Sequence, residues 1–216
     1  LQGKGATSNQ VQIQGSVTVT HVSPNDQTYI NNLTIINTDG VALTTFGNSK
    51  SSFHLINCAI IGTTTAISST DSNLTCDTVD LDNLHETQPC LSLDKSISNF
   101  FASTIENNDT STPSHSPSIR MNLSILSIQS SGLLGSTYMF QDSTLEIKFS
   151  RVVAMNKNDM IISNDADNII QLFHIIAVCN GENLKSGLGT CSRSGVISLG
   201  SASTFIDGIN VNIGFV

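Results

Sequence analysis

A chain of 216 residues with 38% hydrophobic and only 12% charged side chains has room for one domain or one elongated solenoid. Its 9 Lys and Arg against 17 Asp and Glu leave a net charge of -8, which excludes the basic face that nucleic acid or an anionic membrane surface would require. The remainder is dominated by Ser, Thr, Asn and Gly, a mixture that favours short strands joined by polar turns over helices.

Residues 1–10 are rich in Gly, Ser, Thr, Asn and Gln and read as an arm or linker, with residues 11–216 forming one domain. There is no Met at position 1 and no signal peptide, so a processed product or an excised piece is expected. No apolar run approaches the roughly 18 residues of a membrane span, and no membrane insertion is expected. Strand-like alternation begins at Val11 and Ile13 and resumes at Val17 and Val19. Pro24, Asn25 and Asp26 then make a turn.

From Leu33 onward an apolar pair spaced two apart recurs about every two dozen residues. The pairs are Leu33/Ile35, Cys58/Ile60, Val79/Leu81, Ser103/Ile105, Leu126/Ile128, Val153/Met155, Ile176/Val178 and Ile209/Val211. An apolar stretch precedes each pair, as at Phe53/Leu55, Leu74/Cys76, Phe100/Phe101, Met121/Leu123, Ile147/Phe149 and Ile170/Leu172. A third follows, as at Val41/Leu43, Ala66/Ile67, Leu91/Leu93, Tyr138/Phe140, Met160/Ile162 and Val196/Leu199. Three short strands per unit predict a parallel β-helix. One coil cannot bury its inward side chains alone, but coils stacked about 4.8 Å apart form a continuous apolar column. Eight or nine coils would make a rod roughly 40 Å long at that spacing.

Two residues beyond the pairs lie Asn37, Gly62, Asn83, Asn107, Ser130, Lys157, Asn180 and Ile213. Asn and Gly tolerate left-handed backbone, so this column predicts coil corners, with stacked Asn side chains bonded along the axis. The most variable connections are 108–118 and 180–195, and they are the first candidates for partner contacts. The chain closes on Ile209, Val211 and Ile213, a strand still in progress, for which a cap, a partner chain or a further domain is expected.

The five cysteines, Cys58, Cys76, Cys90, Cys179 and Cys191, fit no zinc spacing. Cys76 with Cys90 and Cys179 with Cys191 could close loops, while Cys58 and Cys76 read as small core residues. Sequons stand at Asn32, Asn73, Asn108 and Asn122 and matter only in a secreted protein.

Residues Asn37-Thr38-Asp39-Gly40 resemble the Asn-Thr-Asp-Gly motif of polygalacturonase-type pectinases. The resemblance implies a right-handed parallel β-helix of the pectin-lyase-like superfamily, and in that family Asp residues act as acid and base on a glycosidic bond. One coil later the family carries Gly-Asp-Asp, where this chain reads Gly62-Thr63-Thr64. The family's Gly-His-Gly and Arg-x-Lys motifs are absent as well. Glycoside hydrolysis needs two carboxylates about one bond, and Asp39 lacks its partners, so no catalytic residue is assigned.

Asp77, Asp80 and Asp82 cluster on one predicted strand, with Asp80 and Asp82 outward and Asp77 inward by parity. They read as solvated acids rather than as a calcium site, which takes six to eight oxygens. Asp165 and Asp167 form a weaker acidic pair. The histidines His21, His54, His85, His115 and His174 are scattered, with His54 and His174 outward, and no triad is legible. There is no Trp and aromatics are 5%, which argues against a long carbohydrate cleft. No cofactor and no metal site is assigned. The expected function is a non-enzymatic structural or attachment protein, such as a viral or phage fibre, spike or capsid-associated β-helix. A homotrimer, or assembly with other structural subunits, is expected, and a host-surface glycan or receptor is a possible ligand. The expected location is the virion or the cell surface. The alternatives are a cell-surface adhesin or autotransporter passenger, and a polysaccharide lyase or hydrolase with a site shared between subunits.

Overall fold

Seven complete turns of parallel strands wind about one axis, with partial turns before and after them. The computed structural model describes residues 11–48, 50–84, 88–107, 117–154, 159–179, 184–200, 204–206 and 209–211, and none of these is helical. The opening partial turn holds β1 (Gln12–Gln14) and β2 (Val17–Thr20). Turn 1 is β3 (Gln27–Asn31), β4 (Thr34–Asn37) and β5 (Val41–Phe46). In turns 2 and 3 the first two strands fuse into one bent strand. These are β6 (Ser52–Gly62) with β7 (Thr65–Thr70), then β8 (Asn73–Asn83) with β9 (Leu91–Asp94). Turn 4 is β10 (Ile97–Phe101), β11 (Thr104–Asn107) and β12 (Ile119–Asn122). Turn 5 is β13 (Ile125–Gln129), β14 (Gly132–Leu134) and β15 (Thr137–Met139). Turn 6 is β16 (Thr144–Lys148), β17 (Arg151–Ala154) and β18 (Ile161–Ser163). Turn 7 is β19 (Ile169–Phe173), β20 (Ile176–Cys179) and β21 (Lys185–Gly187). The closing partial turn is β22 (Thr190–Ser194) and β23 (Ile197–Gly200).

Register places the inward side chains in three columns. The first strands stack Ile30, Leu55, Cys76, Phe100, Ile128, Ile147 and Leu172. The second strands stack Ile35, Ile60, Leu81, Ile105, Leu133, Val152 and Ala177. The third strands stack Leu43, Ile67, Leu91, Ile119, Thr137 and Ile161. All of these side chains are buried, and they join in one continuous core apart from the Thr137 hydroxyl. This is the parallel β-helix expected from the repeat.

The apolar period nevertheless misassigns the columns from turn 5 on. Leu126 and Ile128 belong to the first strands, not the second. The inward second-strand residues of turns 6 and 7 are Ser150, Val152, Ile175 and Ala177. Val153, Ile176 and Val178 point outward. Met121 is inward on a third strand, and Leu123 is exposed. Ile209 and Val211 do not continue the parallel stack. β24 (Thr204–Ile206) runs antiparallel to β23, and β25 (Ile209–Val211) antiparallel to β24. Part of the expected 180–195 loop is strand, since β21 pairs with β18 and β22 with β19.

Two rows of left-handed residues make the corners. Between first and second strands they are Asn32, Asn57, Thr78, Ala102, Ser130, Phe149, His174 and Gly195. Between third strands and the next first strands they include Asp71, Lys95, Leu123 and Asp142. Each such residue interrupts alternation, so two outward residues in succession separate two inward ones. That is why Asp77 is exposed, contrary to its parity: Thr78, at φ 57°, follows it. Asn37, Gly62, Asn83 and Asn107 do share one row, but none has positive φ. The Asn37 and Asn83 amides brace the next corner instead. Asn37 Nδ2 donates to Val41 O (2.8 Å), and Asn83 Nδ2 donates to Thr64 O (3.0 Å) and Gln88 O (2.7 Å). An Asn-to-Asn bond along the axis runs from Asn57 Nδ2 to Asn32 Oδ1 (2.8 Å), on the left-handed row. Lys157, Asn180 and Ile213 lie outside the described residues, as does most of 108–118.

A serine follows the left-handed residue at many corners, facing inward. The N–H of Val79 donates to Ser103 Oγ (3.0 Å), that of Ser103 to Ser131 Oγ (3.0 Å), and that of Ser131 to Ser150 Oγ (3.2 Å). Each hydroxyl donates in turn to the carbonyl two residues back, on Phe101, Gln129 and Lys148. A second ladder joins Ser72, Ser96, Ser124, Ser143 and Asn168 at the other corner. The hydroxyls supply acceptors to N–H groups buried at the bend. Ser103→Ala leaves the Val79 N–H without this acceptor and is expected to cost about 1–3 kcal/mol. Urea unfolding should show the loss, and the Val79 amide should exchange faster.

Candidate functional site

Asp39 sits in a turn that the local sequence accounts for fully. Its N–H donates to Asn37 Oδ1 (3.0 Å), and the N–H of Gly40, at φ 127°, donates to Thr63 Oγ1 (2.8 Å). Thr63, one turn on, therefore serves as a brace for this turn. The Asp39 side chain is exposed.

A different set of carboxylates does come together. Asp80 and Asp82 point outward on the second half of β8, and register sets Glu106 of β11 directly beside Asp82. With Ala59, Ile61 and Thr104 they line an open groove of about 390 Å³ on the outer face of the second strands. Its floor includes Leu81, which belongs to the core. Partial burial lifts the Glu106 carboxyl above its ordinary range, and the charges of Asp82 and then Asp80 add to the effect. Asp77, on the preceding strand segment, does not line the groove. Sequence reasoning found Asp80 and Asp82 but missed Glu106, which lies a full turn away along the chain. Among the described residues no three His, Cys, Asp or Glu gather in the geometry of a metal site.

Glu106 binds its proton more tightly in the folded chain than in the unfolded one. Its favourable contribution is thus present at low pH and is lost as pH rises from the ordinary value of 4.5 through the raised folded value. Glu106→Gln is expected to match the parent chain at low pH and to unfold at a higher temperature at pH 7. Paired thermal melts at the two pH values measure this.

The outer faces also carry aromatic and aliphatic side chains. Tyr29 stacks on His54 at 4.6 Å and Phe149 on His174 at 5.3 Å, both histidines facing outward as expected. Lys148 Nζ lies 5.6 Å from the Phe173 ring centre. Ile97 and Ile125 are neighbours on adjacent first strands, and Phe101, Phe149 and Ile176 are each about half exposed. His21 differs. It is buried, stacked on Phe53 at 3.9 Å, with Nε2 2.7 Å from Thr28 Oγ1. His85 and His115 lie outside the described residues.

Cys58, Cys76 and Cys90 are buried free thiols and Cys191 is half-buried and free, so Cys76 and Cys90 do not pair. Burial raises the pKa of all four. The Cys179 side chain lies outside the described residues. Cys58 Sγ sits 3.2 Å from Ile30 O at a corner position filled by serine in later turns. No protein-family model, no curated protein and no solved structure matches this chain.

Proposed function

We propose that this chain is a non-enzymatic structural or attachment protein, a rigid β-helical rod of the kind built into viral or phage fibres, spikes and capsid-associated appendages. The observation that carries the reading is the set of large apolar side chains left exposed on the strands and at their corners, among them Ile97, Ile125, Phe101, Phe149 and Ile176. Where such side chains adjoin, as Ile97 and Ile125 do, exposed apolar surface marks contact with a partner. A stack of coupled turns holds such a surface rigid over the whole rod. The rod assembles with further copies of itself or with other structural subunits, and its variable corner is where a host glycan or receptor would be met.

Sedimentation of the chain across a range of concentrations tests this. A species of two or more subunits is expected, and a monomer at every concentration would overturn the reading.

One observation favours a second reading, hydrolysis or lysis of a polysaccharide. Asp82 and Glu106 are neighbouring carboxylates in a groove, and one has a raised pKa, a pairing that suits an acid and a base on one glycosidic bond. Release of reducing ends from an acidic polysaccharide, abolished in Glu106→Gln, would support it over the first.

A further inference from the structure

We propose that two copies of this chain pair face to face, axes antiparallel, through the outer face of the second strands. The inference rests on the structural reading above and names the partner as a second copy. Along that face, the row nearest the left-handed corner runs Ala59, Asp80, Thr104, Gly132, Arg151 and Ile176 from turn 2 to turn 7. Its chemistry mirrors itself about the midpoint between Thr104 and Gly132. Small residues lie at the centre, an acid stands on one side where a base stands on the other, and apolar residues lie beyond both.

A two-fold axis along the strand direction, between turns 4 and 5, returns each row to itself and exchanges turn 3 with turn 6 and turn 2 with turn 7. Asp80 of one copy then faces Arg151 of the other, twice over, as an isologous interface requires. Both residues are exposed in the single chain. Ala59 faces Ile176, which is 47% exposed; in the adjoining row Ile61 faces Val178, while Asp82 faces Val153 and Glu106 faces Leu134, so Arg151 is the base that this cluster of acids meets across the pair. Glu106 lies diagonally across from the same arginine. The alternative, two rods paired in parallel through this face, sets Asp80, Asp82 and Glu106 of both copies at one height, like charge against like. Antiparallel pairing takes the place of the three-fold arrangement expected for such appendages. The six stacked strands of turns 2 to 7, about 4.8 Å apart and about 13 Å wide, bury roughly 750 Å² over the two copies, the size of a weak and reversible contact.

Charge exchange and cross-linking test the arrangement on the full chain. Arg151→Asp and Asp80→Arg are each expected to raise the dissociation constant of the pair at least tenfold, and the double variant D80R/R151D to restore it. Because both positions are exposed, circular dichroism of all three variants should match the parent. For cross-linking, Ala59→Cys combined with Ile176→Cys is treated with a short bis-maleimide. The two sites lie about 24 Å apart within one chain, at five strand spacings, so linkage must join two copies. The double variant should give covalent dimer, while Ala59→Cys alone and the parent chain should not. Linkage through Ala59→Cys alone, failure of the charge exchange to restore pairing, or a trimeric mass would overturn the antiparallel pair while leaving the structural reading in place. Polysaccharide cleavage abolished in Glu106→Gln would overturn that reading and this interface together, because the groove it needs lies inside the paired face.

Discussion

Replacing Phe100 by Ala is expected to destabilise the rod by about 3–5 kcal/mol, the cost of deleting a fully enclosed aromatic ring. Phe100 is 1% exposed and lies in register between Cys76 of turn 3 and Ile128 of turn 5. The missing ring leaves a void that neither neighbour can fill, because both are tied to their own levels by the parallel ladders. In a stack where each turn touches only the next, a fault at turn 4 weakens two interfaces at once. The urea transition should therefore move to lower concentration and also broaden, as the halves lose coupling. Phe101→Ala, one residue on and 49% exposed, should stay within about 0.5 kcal/mol of the parent. Equal losses in the two variants would contradict a stacked interior.

Gly62→Ala is the second large effect, at the upper end of the roughly 1–3 kcal/mol that overpacking costs. The reason is contact rather than backbone conformation, since Gly62 has no positive φ. A Cβ there would stand 2.1 Å from the Thr65 carbonyl oxygen and 2.5 Å from its carbon. Main chain must move to admit it, at a corner already held by the bonds from the N–H of Thr63 to Asn37 O and from the N–H of Thr64 to Gly40 O. Gly132→Ala is the control, because its Cβ would meet only Thr104 Cγ2 at 3.8 Å. Thermal melts of the two variants should separate clearly.

The repeat was legible in the first turns because their inward corner places are apolar or sulphur-bearing: Leu33, Cys58 and Val79. Ser103 was still placed through its partner Ile105, but the repeat became illegible where serine recurs at Ser131 and Ser150. A buried serine that spends its hydroxyl on backbone is invisible to a hydrophobic pattern. The outward residues of turns 6 and 7 misled further, because Val153, Ile176 and Val178 are more apolar than the Ser150 and Ala177 that face the core. Asp77 was misplaced for a related reason: parity cannot be carried through a left-handed residue, and nothing in the word Thr78 announces one. Of the acid groove, Asp80 and Asp82 were readable as outward. Glu106 could have been found by adding to Asp82 the same step that joins Leu81 to Ile105, which are register partners. The exposed apolar side chains had no signature of their own, because Phe101, Phe149 and Ile176 fall in the same apolar period as the core.

The serine joints bear on how such a rod can change its size. Ser96, Ser124 and Ser143 each receive an N–H from the level before and close onto their own level, so the seams between levels are chemically alike. Excision or duplication of one whole level would rejoin like to like at both corners, whereas loss of half a level would strand a hydroxyl and its donor. Reach is then a heritable quantity that can vary in steps of about 4.8 Å without redesign of the interior.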